Sequence, residues 1–265
     1  MRQKKGLPLG YYVLPNLFTT ASMFSGFLAI LWAISGKFFL SAVAIGVSCV
    51  FDALDGKIAR LTRASSDFGI QMDSLADLVA FGMAPAITIY LWQIHAFGRL
   101  GLAISFLYLA CGALRLARFN LLAMRKDTYD PKFFVGLPIP AAAAFIATFI
   151  IFYHWANLET LIDKRYIASF CMFATLFLAL LMVSNIKYYS FKELSFFKTR
   201  PFTSFVFIVL LFVLIGSEPY LITFLFFVFY VISGPIYTLT RKLYKKQDPL
   251  LNNIQDPQIS KNNIK

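Results

Sequence analysis

The chain is a succession of apolar runs, each long enough to cross a bilayer, and that feature limits its fold more than any other. A spanning helix needs about 20 predominantly apolar residues. Eight such runs stand at roughly 14–34, 38–60, 68–94, 100–123, 137–155, 166–184, 202–217 and 220–240. The last two meet at Ser217, Glu218 and Pro219, as a tight hairpin would. The first run is too long for a signal peptide and has no small-residue cleavage site before a polar domain. The pattern predicts an all-α, polytopic membrane helical bundle with about eight transmembrane helices.

Composition agrees. Apolar residues make up 59% of the chain and charged residues 14%, with a mean hydropathy of +0.69. Soluble domains run at about 45–50% and about 25%. These values exclude a soluble globule, a disordered chain, a secreted disulfide scaffold and a coiled coil. Cys49, Cys111 and Cys171 are far apart in apolar runs, and His95 and His154 are the only histidines, so no zinc cluster is expected.

The net charge of +12 would point to nucleic acid in a soluble protein. Here the positions of the charges decide. With eight spans, Lys37, Arg99, Lys164 and Arg165 fall on one side, and every other loop and terminal cation falls on the side of the termini. Basic residues collect in cytoplasmic loops, so both termini are expected in the cytoplasm and nucleic acid is not an expected partner. Segment 187–200, aromatic and basic, reads as an interfacial piece lying on the membrane. Residues 241–265 read as a cytoplasmic tail, disordered from Gln247 onward.

Four of the 13 acidic residues, Asp52, Asp55, Asp73 and Asp77, lie inside the second and third runs. Each carboxylate at mid-bilayer costs about 2.5–3.5 kcal/mol on insertion scales. Four in one place require a function or a partner. Asp52 and Asp55 are spaced i, i+3, and Asp73 and Asp77 are spaced i, i+4, so each pair shares a helix face. Folding the two runs about a turn near Ala64 sets Asp55 opposite Asp73 and Asp52 opposite Asp77, about 10–15 Å in from the turn. Two divalent cations would balance the four charges, and oxygen-only ligands suit Mg²⁺, Mn²⁺ or Ca²⁺. Gly56, Ala59 and Gly69 leave room beside the acids. Arg60 places a cation where a diphosphate could bridge it and the metals, and Ser66 offers a hydroxyl. From the acids alone, three readings stand: a phosphoryl-transferring enzyme, a cation-coupled transporter, and structural pairing with Arg60 and Arg115.

Residues 52–77 read D-A-L-D-G-K-I-A-R, eight residues, then G-I-Q-M-D-S-L-A-D. This resembles the CDP-alcohol phosphatidyltransferase family at all eight fixed positions of D-x2-D-G-x2-A-R-x8-G-x3-D-x3-D. The resemblance implies a six-helix core, a homodimer, and transfer of a phosphatidyl-type group from a CDP-linked donor to an alcohol, with release of CMP. It makes Asp52, Asp55, Asp73 and Asp77 the ligands of two divalent cations, Mg²⁺ or Mn²⁺, and Asp77 also the general base. Gly56, Arg60 and Ser66 fall where the family contacts the CDP part, and Ala59 and Gly69 supply space. L-R-L-A-R-F-N (114–120), F-V-G-L-P-I-P-A-A-A (134–143) and M-V-S-N-I-K-Y-Y-S-F-K (182–192) resemble the multi-span branch of the family that uses L-serine as acceptor. Glycerol phosphate, inositol phosphate or choline are the alternative acceptors.

Arg115 and Arg118, i and i+3 near the depth of the acids, suit either the serine carboxylate or a donor phosphate, and they also suit pairing with the aspartates. Asn120 could hold the acceptor or cap its helix. Pro138 and Pro140 are expected to open the fifth span. The expected organisation is a cytoplasmic segment 1–13, a six-helix catalytic core 14–184, a cytoplasmic interfacial loop 185–201, two further spans in 202–240 and a tail 241–265. The expected setting is a bacterial cytoplasmic membrane, with the site open to the cytoplasm and CDP-diacylglycerol and membrane lipids as partners.

Overall fold

A computed structural model of the chain describes residues 10–62, 67–124, 133–189 and 216–247. Its long helices are α1 (Gly10–Ile34), α2 (Phe38–Thr62), α3 (Asp67–Asp77), α4 (Ala84–Trp92), α5 (Arg99–Met124), α6 (Ile139–Trp155), α8 (Lys164–Val183) and α9 (Pro219–Gln247), with the four-residue α7 (Leu158–Leu161) between α6 and α8. A π-helical turn, Leu78–Met83, fuses α3 and α4 into one span. Six segments are long and apolar enough to cross a membrane, and α6 adds a shorter apolar helix of 17 residues. The chain is therefore a multi-pass, all-α membrane protein. Seven of the eight expected runs are accounted for, and the eighth, 202–217, lies outside the described residues apart from Gly216 and Ser217.

Small residues set the packing. α1 and α2 form the most extensive pair in the fold. Ser22 and Ser48 each donate their hydroxyl to the other's carbonyl at 3.1 Å, and Ser25 Oγ donates to Ala44 O at 2.9 Å. Such side chains let helix backbones approach closely where lipid supplies no hydrophobic drive. Gly26 sits against the π turn, where an added Cβ would lie 2.5 Å from Ala80 Cα. α6 is the central helix, with Ala141, Ala142, Ala143 and Ala144 all buried, and it packs on both α2 and α9. It opens at Pro138 and Pro140, as the sequence predicts.

Two prolines inside spans leave carbonyls without their helical donors. Pro85 cannot donate to Phe81 O, nor Pro235 to Val231 O, and an orphan carbonyl is costly in a bilayer. Buried tyrosines fill both positions. Tyr108 Oη donates to Phe81 O at 3.2 Å, and Tyr188 Oη donates to Val231 O at 3.1 Å. In the π turn the Ala84 N–H reaches back to Val79 O, one residue further than in an α-helix.

A two-stranded antiparallel ribbon closes the end of the bundle where α5 and α8 terminate. β1 (Phe133–Val135) pairs with β2 (Lys187–Tyr189), with Phe134 opposite Tyr188. The expectation that residues 187–200 lie on the membrane is corrected at its start. Tyr188 is fully buried beneath α9, because its hydroxyl serves the Val231 carbonyl and its ring fills the space beside Gly234. Residues 190–200 lie outside the described residues, as does the tail beyond Gln247.

Candidate active site

The acidic residues come together as the helical spacing requires. α2 carries Asp52 and Asp55 seven to ten residues before its end at Thr62, roughly 10–15 Å of helix. α3 carries Asp73 and Asp77 at the matching level of the neighbouring helix. One carboxylate oxygen from each of Asp52, Asp55 and Asp73 lies within 4.8 Å of the others. The Asp77 carboxyl group lies beside that of Asp52. Asp55 is buried, whereas Asp52, Asp73 and Asp77 are half-buried.

Supporting side chains surround the cluster. Thr19 of α1 donates its hydroxyl to Asp55 Oδ2 at 2.8 Å, fixing one carboxylate from a third helix. Asn120 of α5 donates Nδ2 to Ser74 Oγ at 2.9 Å, next to Asp73. The π turn begins directly after Asp77, so the helix is rewound where that carboxylate leaves it. Sequence reasoning missed Thr19, Ser74 and the π turn. A threonine within an apolar run was the visible signal for the first, and Gly82 and Pro85 within one span were the signal for the last.

Gly56 and Gly69 lie near the acids and are half-buried. Ala59 and Arg60 are on the last turns of α2, but their side chains, like the whole of Ser66, lie outside the described residues. Arg115 and Arg118 separate. Arg115 is buried, at 8% exposure, and lies near Tyr230 of α9. Arg118 turns to the end of α8. Its Nη1 donates to Val183 O at 3.1 Å and Asn185 Oδ1 at 3.3 Å, and its Nη2 to Val135 O at 2.9 Å and Ser184 O at 3.3 Å. The structure thus places the Arg118 guanidinium on carbonyls at the end of α8, away from Arg115, with which sequence reasoning groups it. The last carbonyls of a helix lack donors and carry partial negative charge, and this guanidinium serves them.

Three converging carboxylates with no sulfur or imidazole among them form a donor set for a hard divalent cation, and the residues present fit that group. A membrane-embedded cluster of carboxylates suits enzymes that handle phosphate esters at a bilayer surface and cation-coupled transporters alike, and the comparison with known families separates them. A family profile described as CDP-alcohol phosphatidyltransferase matches residues 12–181. The chain belongs to the CDP-alcohol phosphatidyltransferase family.

Among similar proteins, the CDP-diacylglycerol–serine O-phosphatidyltransferase of Helicobacter pylori is 42% identical over 185 residues, which is 69% of this chain and 74% of that protein. The archaetidylserine synthase of Methanothermobacter thermautotrophicus is 37% identical over 180 residues, covering 67% and 70%. A CDP-diacylglycerol–serine O-phosphatidyltransferase of Methanocaldococcus jannaschii is 40% identical over 144 residues, covering 54% and 61%.

Proposed function

We propose that this chain transfers the phosphatidyl group of CDP-diacylglycerol to the hydroxyl of L-serine, giving phosphatidylserine and CMP. The observation that carries the reading is the convergence of Asp52, Asp55 and Asp73 from two helices, in a chain similar to serine phosphatidyltransferases. Asp52, Asp55, Asp73 and Asp77 would hold two divalent cations, Mg²⁺ or Mn²⁺ (the donor set also accepts Ca²⁺). Bound there, the cations supply charge neutralisation for the diphosphate and the leaving CMP.

The rest of the chemistry falls to the chain's own side chains. Asp77 accepts the proton of the serine hydroxyl. The serine oxygen bonds to the β-phosphorus, the bond from that phosphorus to the bridging oxygen breaks, and CMP departs with the bond electrons. Gly56, Arg60, Ser66, Gly69 and Ala59 receive the CDP portion. Thr19 holds Asp55 in place. Arg115 binds the serine carboxylate, with Asn120 beside it, because a planar guanidinium matches a planar carboxylate. Arg118 holds the end of α8 that frames this region.

The catalytic core is 14–184, working as a homodimer in a bacterial cytoplasmic membrane with the acids and both termini facing the cytoplasm. The test supplies purified protein with CDP-diacylglycerol, Mg²⁺ or Mn²⁺, and serine, glycerol phosphate, inositol phosphate or choline in parallel. Phosphatidylserine formed only with serine supports the proposal. A different lipid product moves the acceptor assignment, and no CMP with any acceptor overturns the reading.

A further inference from the structure

The chain has two histidines, 59 residues apart in sequence, and both line one pocket of about 500 Å³ at the membrane face opposite the acids. The start of α2, the ends of α4 and α6 and the start of α8 meet there. Lys164 and Arg165 line the same pocket, with Glu159 and the ring of Trp92. Half of the cations expected on that sparsely charged side thus open onto one cavity. A pocket of this size with an apolar wall and a few convergent polar groups is the form of a small-molecule site.

The chemistry inside it selects an anion. His154 Nδ1 lies 2.8 Å from Ile150 O, and His95 Nδ1 lies 3.3 Å from Tyr90 O. A carbonyl cannot donate, so Nδ1 carries the proton in both rings, and Nε2 is left to reach a ligand. The Trp92 ring stacks on His154 with centroids 6.1 Å apart, fixing that imidazole. Lys164 pairs with Glu159 at 3.5 Å, whereas the Arg165 guanidinium has no ion pair among the described residues. With Nδ1 protonated, each Nε2 is an acceptor, so the Arg165 guanidinium is the donor for a phosphate ester and the two Nε2 atoms suit a headgroup hydroxyl beside it. The setting favours a lipid source. Trp155 contacts Tyr220 at 5.8 Å at this end of the bundle, and exposed aromatic rings of this kind mark the headgroup level of a bilayer.

We infer that this pocket binds the phosphate of a phospholipid headgroup in the leaflet opposite the acids, with Arg165 as its principal charge partner. The proposal is independent of the transfer reaction, since no residue of the acidic site is involved.

The test uses the full chain in detergent. Dioctanoyl phosphatidylglycerol, dioctanoylglycerol and inorganic phosphate are titrated separately, and binding is followed calorimetrically. Wild-type protein should bind the phosphatidylglycerol saturably. Arg165→Gln should weaken that binding about tenfold, the scale of one lost hydrogen bond to a charged group. Asp52→Asn should leave it unchanged, which separates this pocket from the acidic site. Glu159→Gln should tighten binding by removing the carboxylate that opposes a phosphate, and a misfolded variant cannot produce that gain. Inorganic phosphate bound as tightly, and equally sensitive to Arg165→Gln, would overturn the lipid source. Equal binding of dioctanoylglycerol, or phosphatidylglycerol binding indifferent to both Arg165→Gln and Glu159→Gln, would overturn the site.

Discussion

Replacing Tyr188 with Phe should reveal how a proline is accommodated inside α9. Pro235 has no N–H for Val231 O, and the Tyr188 hydroxyl donates to that carbonyl at 3.1 Å. Tyr188 is fully buried and Val231 is 3% exposed, so water cannot take over the contact. Leaving a buried acceptor unsatisfied costs about 1–3 kcal/mol. Tyr188→Phe should therefore destabilise the protein by about 1–3 kcal/mol with no change in packing volume. In a Pro235→Ala background the backbone N–H restored at that position can serve Val231 O, and the same tyrosine substitution should cost less than about 1 kcal/mol. The difference is a coupling energy between residues in one network, which a double-mutant cycle isolates. Unfolding of the four proteins in mixed detergent micelles, followed by circular dichroism, gives all the terms. Equal costs of Tyr188→Phe in both backgrounds would refute the reasoning.

Gly26→Ala should push α1 off the π turn by about 1 Å, since its Cβ would lie 2.5 Å from Ala80 Cα and carbon contacts prefer about 3.5–4.0 Å. A shift of that size beside Asp77 should cut turnover about 100-fold. Gly46→Ala, with nothing within 4 Å of the new methyl, should leave CMP release at wild-type rate. Thr19→Val should remove the 2.8 Å hydrogen bond to Asp55 and weaken divalent-cation affinity about 10–100-fold, read as a higher Mg²⁺ concentration for half-maximal activity. Arg115→Lys should raise the serine KM about 10–150-fold with a smaller effect on CDP-diacylglycerol, whereas Arg118→Lys should chiefly lower thermal stability by uncapping α8. Parallel KM and melting measurements on the two variants separate the roles.

What the sequence disclosed follows from how local each feature is. Helix periodicity within single runs put Asp52 with Asp55 and Asp73 with Asp77, and the few residues of chain between those runs leave little freedom in how the pairs meet. The cluster within 4.8 Å was therefore within reach of counting residues. Arg118 was not. Its i, i+3 relation to Arg115 is real, but its donors are drawn to carbonyls of α8 and β1, whose position depends on the whole bundle. Tyr188 shows the same limit. An aromatic residue among lysines has the composition of a membrane-surface segment, and only the proline-orphaned carbonyl 43 residues later explains its burial. Pairings of tyrosine with proline join separate elements, and no periodicity in one run reveals them.

The most direct test of the central claim counts both products from the same vesicles. Wild-type protein and Asp77→Asn are reconstituted with CDP-diacylglycerol, supplied with serine and Mg²⁺ or Mn²⁺, and assayed for CMP and phosphatidylserine together. The account predicts equimolar CMP and phosphatidylserine from the wild type, abolished by chelator. It also predicts that Asp77→Asn still binds CDP-diacylglycerol but forms neither product. Phosphatidylserine from Asp77→Asn at near the wild-type rate, or full wild-type activity in excess chelator, would contradict it.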